Sequence, residues 1–146
     1  MISTRWFQGK SNLDLVLELR SKVFIDELKI KDYPVADMYD EFALNAVAYE
    51  GDIPVGTGRL LFKDGKYSID NVCVLSEFRG NHYGDLLLRV LVRRAVNMGA
   101  EKTYALVTAN AVKNFEAIGF AKLQENDGYY LMEKTGDVGG SCGNCK

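Results

Sequence analysis

Residues 79–85 read Arg-Gly-Asn-His-Tyr-Gly-Asp. They follow a short apolar run, NVCVL, and lead into a long amphipathic pattern that begins near Leu86. A strand passing through a glycine loop into a helix start exposes several main-chain N–H groups that point the same way. The helix dipole adds partial positive charge at that point, which suits a phosphate. Arg79 supplies a planar cation able to fork onto phosphate oxygens. Gly80 and Gly84 let backbone approach a ligand closely. The loop is not a P-loop, because no Gly-Lys-Ser/Thr follows it. It is not a dinucleotide fingerprint, because hairpins rather than βαβ units precede it. An ordinary tight turn with a glycine hinge has the same local pattern.

The cysteines are the other chemical resource. Cys73 sits inside the apolar run and reads as a small buried hydrophobe. Cys142 and Cys145 form one C-x-x-C in the glycine-rich end DVGGSCGNCK. One such pair is half a zinc site or a redox dithiol, or an incidental pair in a flexible tail.

The elements that must position the loop follow from periodicity. A strand is expected at residues 4–7. Residues 11–30 read as a helix with Ser11 as cap and Asp14 three residues on. Its apolar positions Leu15, Val16, Leu19 and Val23 keep the helical period. Residues 43–75 read as three strands, broken at Gly51-Asp52 and at the hairpin turn Lys63-Asp64-Gly65-Lys66. After the glycine loop, Leu87, Leu91, Ala95 and Met98 recur on one helix face, and Gly99 supplies the stop. A strand at KTYALVT follows, then a short helix capped by Asn110 and ended by Gly119. Two last strands flank the turn Asn126-Asp127-Gly128. The order β-α-β-β-β-α-β-α-β-β gives an α/β (α+β) fold, a mixed sheet flanked by helices.

The chain has 146 residues, enough for one domain and one core. We expect residues 1–135 to form that domain and 136–146 to form a Gly/Cys-rich tail. A net charge of −2 with both signs interspersed argues against a general nucleic-acid binder. No apolar run reaches the roughly 20 residues of a membrane span. The start MISTRWFQGK lacks the apolar core of a signal peptide. The cytoplasm is the expected location, with no nucleic acid or membrane as partner.

With these elements in place, the chain resembles the GNAT superfamily of acyl-CoA-dependent N-acyltransferases over roughly residues 15–133. Four segments carry the resemblance: RSKVFIDEL (20–28), PVGTGRL (54–60), NVCVLSEFRGNHYGD (71–85) and ANAVKNFEAIGF (109–120). The third is similar to the family's acyl-CoA signature, Arg/Gln-x-x-Gly-x-Gly/Ala after the fourth strand. The resemblance implies a mostly antiparallel sheet that splays between strands 4 and 5. It implies that the diphosphate of acetyl-CoA rests on the amides of Arg79, Gly80, Asn81, His82, Tyr83, Gly84 and Asp85. The pantetheine arm would pair with the open edge at Val72, Cys73 and Val74. Asn110, Lys113 and Phe115 would face the same cofactor. A small-molecule or peptide amine is the implied acceptor, and no metal is required. Similar proteins are commonly homodimers; the sequence leaves the oligomeric state open.

Three departures follow. His82 stands where the signature has its first glycine; Asn, Asp and His are the residues most tolerated at positive φ. It is open to reading as a surface residue, a phosphate-holding imidazolium or a base. Phe115 stands where many members have the tyrosine that protonates the departing thiolate, leaving Tyr83 and Tyr104 as stand-ins. No glutamate occupies the strand-four position, where Ser68 or Asp70 falls. Asp70 is a candidate base acting through water. Asp40 and Glu41, with Glu27, form an acidic group bordering the implied acceptor site and suited to a cationic amine. The expectation is an acetyl-CoA-dependent N-acetyltransferase with Asp70, Glu41 and Tyr104 as catalytic candidates. An acyl-CoA-binding sensor, or a metal or redox module worked through Cys142 and Cys145, are the alternatives.

Overall fold

The computed structural model describes residues 1–138. It contains seven strands: β1 Ile2–Gln8, β2 Leu44–Glu50, β3 Ile53–Lys63, β4 Lys66–Val74, β5 Lys102–Thr108, β6 Ala121–Asn126 and β7 Tyr129–Thr135. The helices are α1 Leu13–Arg20, α2 Tyr83–Asn97 and α3 Val112–Ala117. One sheet holds all seven strands in the order β1-β2-β3-β4-β5-β7-β6. Every pairing is antiparallel except β4 with β5.

The turns follow from residue type. Asp64 and Gly65 both take positive φ, 53° and 76°, as a two-residue type I′ turn requires. Asp127 and Gly128 repeat that geometry between β6 and β7, at 49° and 84°. Alternation along β2 divides the core. Ala46 and Ala48 face a cluster with Leu87, Leu91 and Ala95 of α2. Val47 and Tyr49 face Val16 and Leu19 of α1 on the other side. The sheet is therefore covered on both faces.

The expected caps give way to other geometry. Ser11 does not cap α1; Asn12 holds that place in a left-handed conformation, with no side-chain cap. The helical run continues past α1 but loosens into a π-helical segment, Ser21–Glu27. Asn110 does not cap α3. It lies in a 3₁₀ turn, where its Oδ1 accepts from Thr108 Oγ1 at 2.5 Å, and Ala111 precedes the helix without a cap. Met98 closes α2 largely exposed, because the helix ends there and Gly99 turns away at φ 107°.

Packing continues past residue 135. Gly136 donates its N–H to Glu101, and Val138 is buried in the main core. Cys142 and Cys145 lie outside the described residues. Among the described residues, no helix is long and apolar enough to cross a membrane.

Candidate active site

The site begins with a defect in β4. Thr57 pairs with Cys73 and Arg59 with Asp70, so Gly58 alone opposes both Asn71 and Val72. This is a β-bulge, and Asn71 takes the left-handed conformation at φ 51°. Gly58 has little room there: a Cβ would stand 2.7 Å from Leu91 Cδ1 and 3.2 Å from Val72 Cγ2, so those side chains would have to shift. Gly56 is tighter still, since its Cβ would lie 2.6 Å from the Cys73 carbonyl oxygen.

Past the bulge the sheet opens. β4 pairs with β5 only at Tyr67, Ser68 and Ile69. Residues 70–74 have a free edge on that side, and unpaired backbone groups on such an edge seek a partner. A groove of about 940 Å³ runs along this gap. Val72, Cys73 and Val74 form its floor, and Thr108, Asn110 and Phe115 form the far wall. Cys73 is buried, and burial pushes its thiol up to about 12, so it is protonated at neutral pH. Phe115 packs edge-to-face on Phe120 at 5.2 Å.

The groove ends at the glycine loop. Arg79, Gly80, His82, Tyr83, Gly84 and Asp85 line it. His82 takes φ 65° at the start of α2 and makes no side-chain cap. Gly80 takes φ 88°, where a Cβ would meet nothing within 4 Å. Among the described residues, none accepts a hydrogen bond from the main-chain N–H groups of residues 80–85. Tyr83 is buried, and its hydroxyl donates to Glu50 at 2.5 Å; that bond pushes its pKa up to about 12.

Arg79 is engaged within the protein. Its guanidinium forks onto both Glu27 oxygens and also donates to the Val74 carbonyl at 2.9 and 3.1 Å. The pair ties the π-helical segment to the glycine loop. The hydrogen bond from Arg79 holds the Glu27 carboxyl below the usual carboxylate range.

Beyond β4, Val23, Phe24, Leu28 and Ile30 make an apolar end to the groove. Behind it lies a charge cluster centred on buried Arg59. Arg59 forks onto Asp70 at 2.7 and 2.7 Å, onto Asp37 at 2.7 and 3.0 Å, and reaches Asp40 at 3.2 Å. Buried Arg20 adds two bonds to Asp40, at 3.0 and 3.2 Å, and one to Asn45. The Arg59 hydrogen bond lowers the Asp37 pKa below its ordinary value. Burial raises that of Asp40, but the Arg20 bond and the Asp37 amide outweigh it and the net shift is downward.

This arrangement separates the candidate residues. Val72, Cys73, Val74, Arg79, Gly80, His82, Tyr83, Gly84, Asp85, Asn110 and Phe115 share one groove. Asn81 points away, its amide on the Phe78 carbonyl at 3.3 Å, and Lys113 is exposed on α3; neither is part of the lining. Asp70, Glu41 and Tyr104 are not in the lining either. Both Asp70 oxygens are held by Arg59. Glu41 is solvent-exposed beside Lys10 at 3.5 Å, and Lys66 sits over the Tyr104 ring at 5.3 Å. Asp40 is likewise a buried structural anion, not a free attractor of amines.

The apolar end of the groove was not legible, because its residues serve a loosened helix and the loop behind it. The Arg59 hub carried one weak signal, an arginine inside the otherwise apolar strand PVGTGRLLF.

Residues 13–140 match the family model described as Acetyltransferase (GNAT) family. A Bacillus subtilis (strain 168) protein named uncharacterized N-acetyltransferase YjcF is 28% identical over 109 residues, which are 75% of this chain and 78% of that one. An acyl-CoA N-acyltransferase from Pseudomonas aeruginosa superposes with a TM-score of 0.82 at 20% identity, covering 92% of this chain and 100% of that one. The PaiA N-acetyltransferase from Thermoplasma acidophilum, solved with coenzyme A, gives 0.73 at 14% identity over 92% and 99% of the two chains. At these identities the solved structures establish a common fold.

Proposed function

The chain belongs to the GNAT acetyltransferase family, and from that premise we propose that it moves an acetyl group from acetyl-CoA to a primary amine in the cytoplasm. One observation carries this reading. The open edge of β4 over residues 70–74 runs directly into the unpartnered amides of residues 80–85. An extended amide-bearing arm that ends in a diphosphate would satisfy both sets of groups at once.

In this reading the diphosphate sits on the amides of residues 80–85, at the N-terminus of α2. The pantetheine arm adds to β4 as a strand would. The thioester then lies at residues 72–74, beside the bulge, where a main-chain N–H stabilises the developing oxyanion. The neutral amine attacks the carbonyl carbon, the carbon–sulfur bond breaks, and the sulfur leaves with its electron pair. The proton lost from nitrogen goes to water. A thiol has a pKa of about 8.5, so a thiolate is a tolerable leaving group without a full proton donor. Proximity of the two bound reactants supplies most of the rate, on the order of 7–11 kcal/mol. Asp70, paired twice to Arg59, holds the scaffold rather than the proton.

A sensor that binds acyl-CoA without transfer is the second reading. It is favoured by Phe115, which has no hydroxyl, and by the absence of Asp70, Glu41 and Tyr104 from the groove lining. Incubation with acetyl-CoA and a panel of amines separates the two. Amine-dependent release of free thiol supports transfer; saturable acetyl-CoA binding with no thiol release by any amine supports the sensor.

A further inference from the structure

The bulge in β4 is held from outside the sheet. Asn71 pays for its left-handed conformation with steric crowding that most side chains avoid. Its side-chain oxygen accepts a hydrogen bond from the Tyr33 hydroxyl at 2.6 Å. Its amide nitrogen turns the other way, toward Asp70 Oδ1 at 3.4 Å. Asp70 is itself fastened by Arg59. Asn71 is thus gripped at both ends of its amide group.

Tyr33 reaches this point from the loop after the π-helical segment, 38 residues away in sequence. Its ring is half-buried and packs on Phe24, with centroids 4.6 Å apart. Phe24 lines the groove. The same loop is anchored further on by Asp37 and Asp40, through Arg59 and Arg20. One rigid assembly therefore joins the apolar end of the groove to the residue that bends β4. A strand partner could not do this, since β5 has already parted from β4 at Ile69.

We propose that Tyr33 is a positioning residue for acyl transfer: its hydroxyl, through Asn71, sets the angle at which residues 72–74 present their main-chain groups to the thioester. This rests on the acyl-transfer reading above. The geometry of the strand next to the reacting carbonyl is decided at Asn71, and Tyr33 is the only described side chain that donates to its oxygen. The hydroxyl touches no reacting atom in this scheme and contributes by fixing where those atoms meet.

Two variants isolate the hydrogen bond. Tyr33→Phe deletes the hydroxyl and keeps the ring on Phe24. Asn71→Gly accepts positive φ readily and deletes the acceptor. Each is expected to lower kcat by about tenfold to a hundredfold, the scale of a small misplacement of reacting groups, with little change in KM for acetyl-CoA. The double variant is expected to be no slower than the worse single one. Without any substrate, the amide resonances of residues 71–74 should shift in both variants while those of β7 stay in place. Unchanged kcat in Tyr33→Phe, multiplicative losses in the double variant, or unmoved resonances would each overturn the inference. If the unaltered protein releases no thiol with any amine, the transfer reading fails instead. The resonances then decide alone whether Tyr33 sets the bulge.

Discussion

Arg79 has one guanidinium and two anions that would use it. It is clamped on Glu27 and the Val74 carbonyl, yet it stands beside the amides assigned to the diphosphate. If the side chain adds to phosphate binding, Arg79→Ala should weaken CoA binding by about 1.5–3 kcal/mol, the worth of a charge-assisted hydrogen bond. Glu27→Gln removes the competing negative charge, so it should bind CoA at least as tightly as the unaltered protein. Titration calorimetry on both variants checks the pair. Phe115→Tyr places a proton donor in the groove wall, and thiol release should become faster with no loss of thermal stability. At this scale the sequence was informative about residue types in the glycine loop and about His82, which takes the positive φ that its place in the motif demanded. It was silent on Tyr33. A tyrosine in a polar loop carries no periodicity, and its partner is 38 positions away.

The strand and helix elements depend on close approaches that tolerate little. A Cβ on Gly56 would meet the Cys73 carbonyl, a backbone atom that cannot turn aside. Gly56→Ala should therefore destabilise the fold by about 1–3 kcal/mol. Gly58→Ala meets the end of the Leu91 side chain and should cost less. Denaturant titration ranks them. The loop over residues 28–43 depends on Arg59 in another way. Arg59→Ala leaves Asp37 and Asp70 without their main cation and Asp40 with Arg20 alone, and breaking such a buried cluster costs about 3–5 kcal/mol. Partial exposure of Asp37 and Asp70 puts the value toward the lower end. The folded-state pKa values of Asp37 and Asp40 lie below the ordinary ones. The unfolded chain therefore binds more protons as the pH drops through about 4. The cluster's contribution is complete above that pH and is lost below it. Unfolding free energy measured from pH 6 to pH 2 should fall, and it should fall less steeply in Arg59→Ala. The ten elements and their order were legible from periodicity and from the turns at Asp64-Gly65 and Asp127-Gly128. The caps were not, because Asn12 and Asn110 are held by backbone geometry and by a neighbouring hydroxyl rather than by propensity.

For the molecule as a whole, the sheet is covered on both faces and opened in its interior. The splay between β4 and β5 was legible only through resemblance to a family, since no local pattern states where two parallel strands part. The structure places the expected catalytic carboxylates, Asp70 and Glu41, outside the groove lining. Asp70 sits on the right strand, and only the three-dimensional placement of Arg59 shows that its charge is already spent. A ligand seated in the gap would replace a missing strand and should stabilise the whole domain. At a hundredfold excess over its dissociation constant it would add about 2.7 kcal/mol. The most direct measurement is a crystal structure of the protein with acetyl-CoA. The diphosphate is expected on the amides of residues 80–85, with the pantetheine bonded along residues 72–74. A complex in which acetyl-CoA lies outside the gap between β4 and β5, or in which that gap closes and excludes it, would overturn the proposed mode of binding.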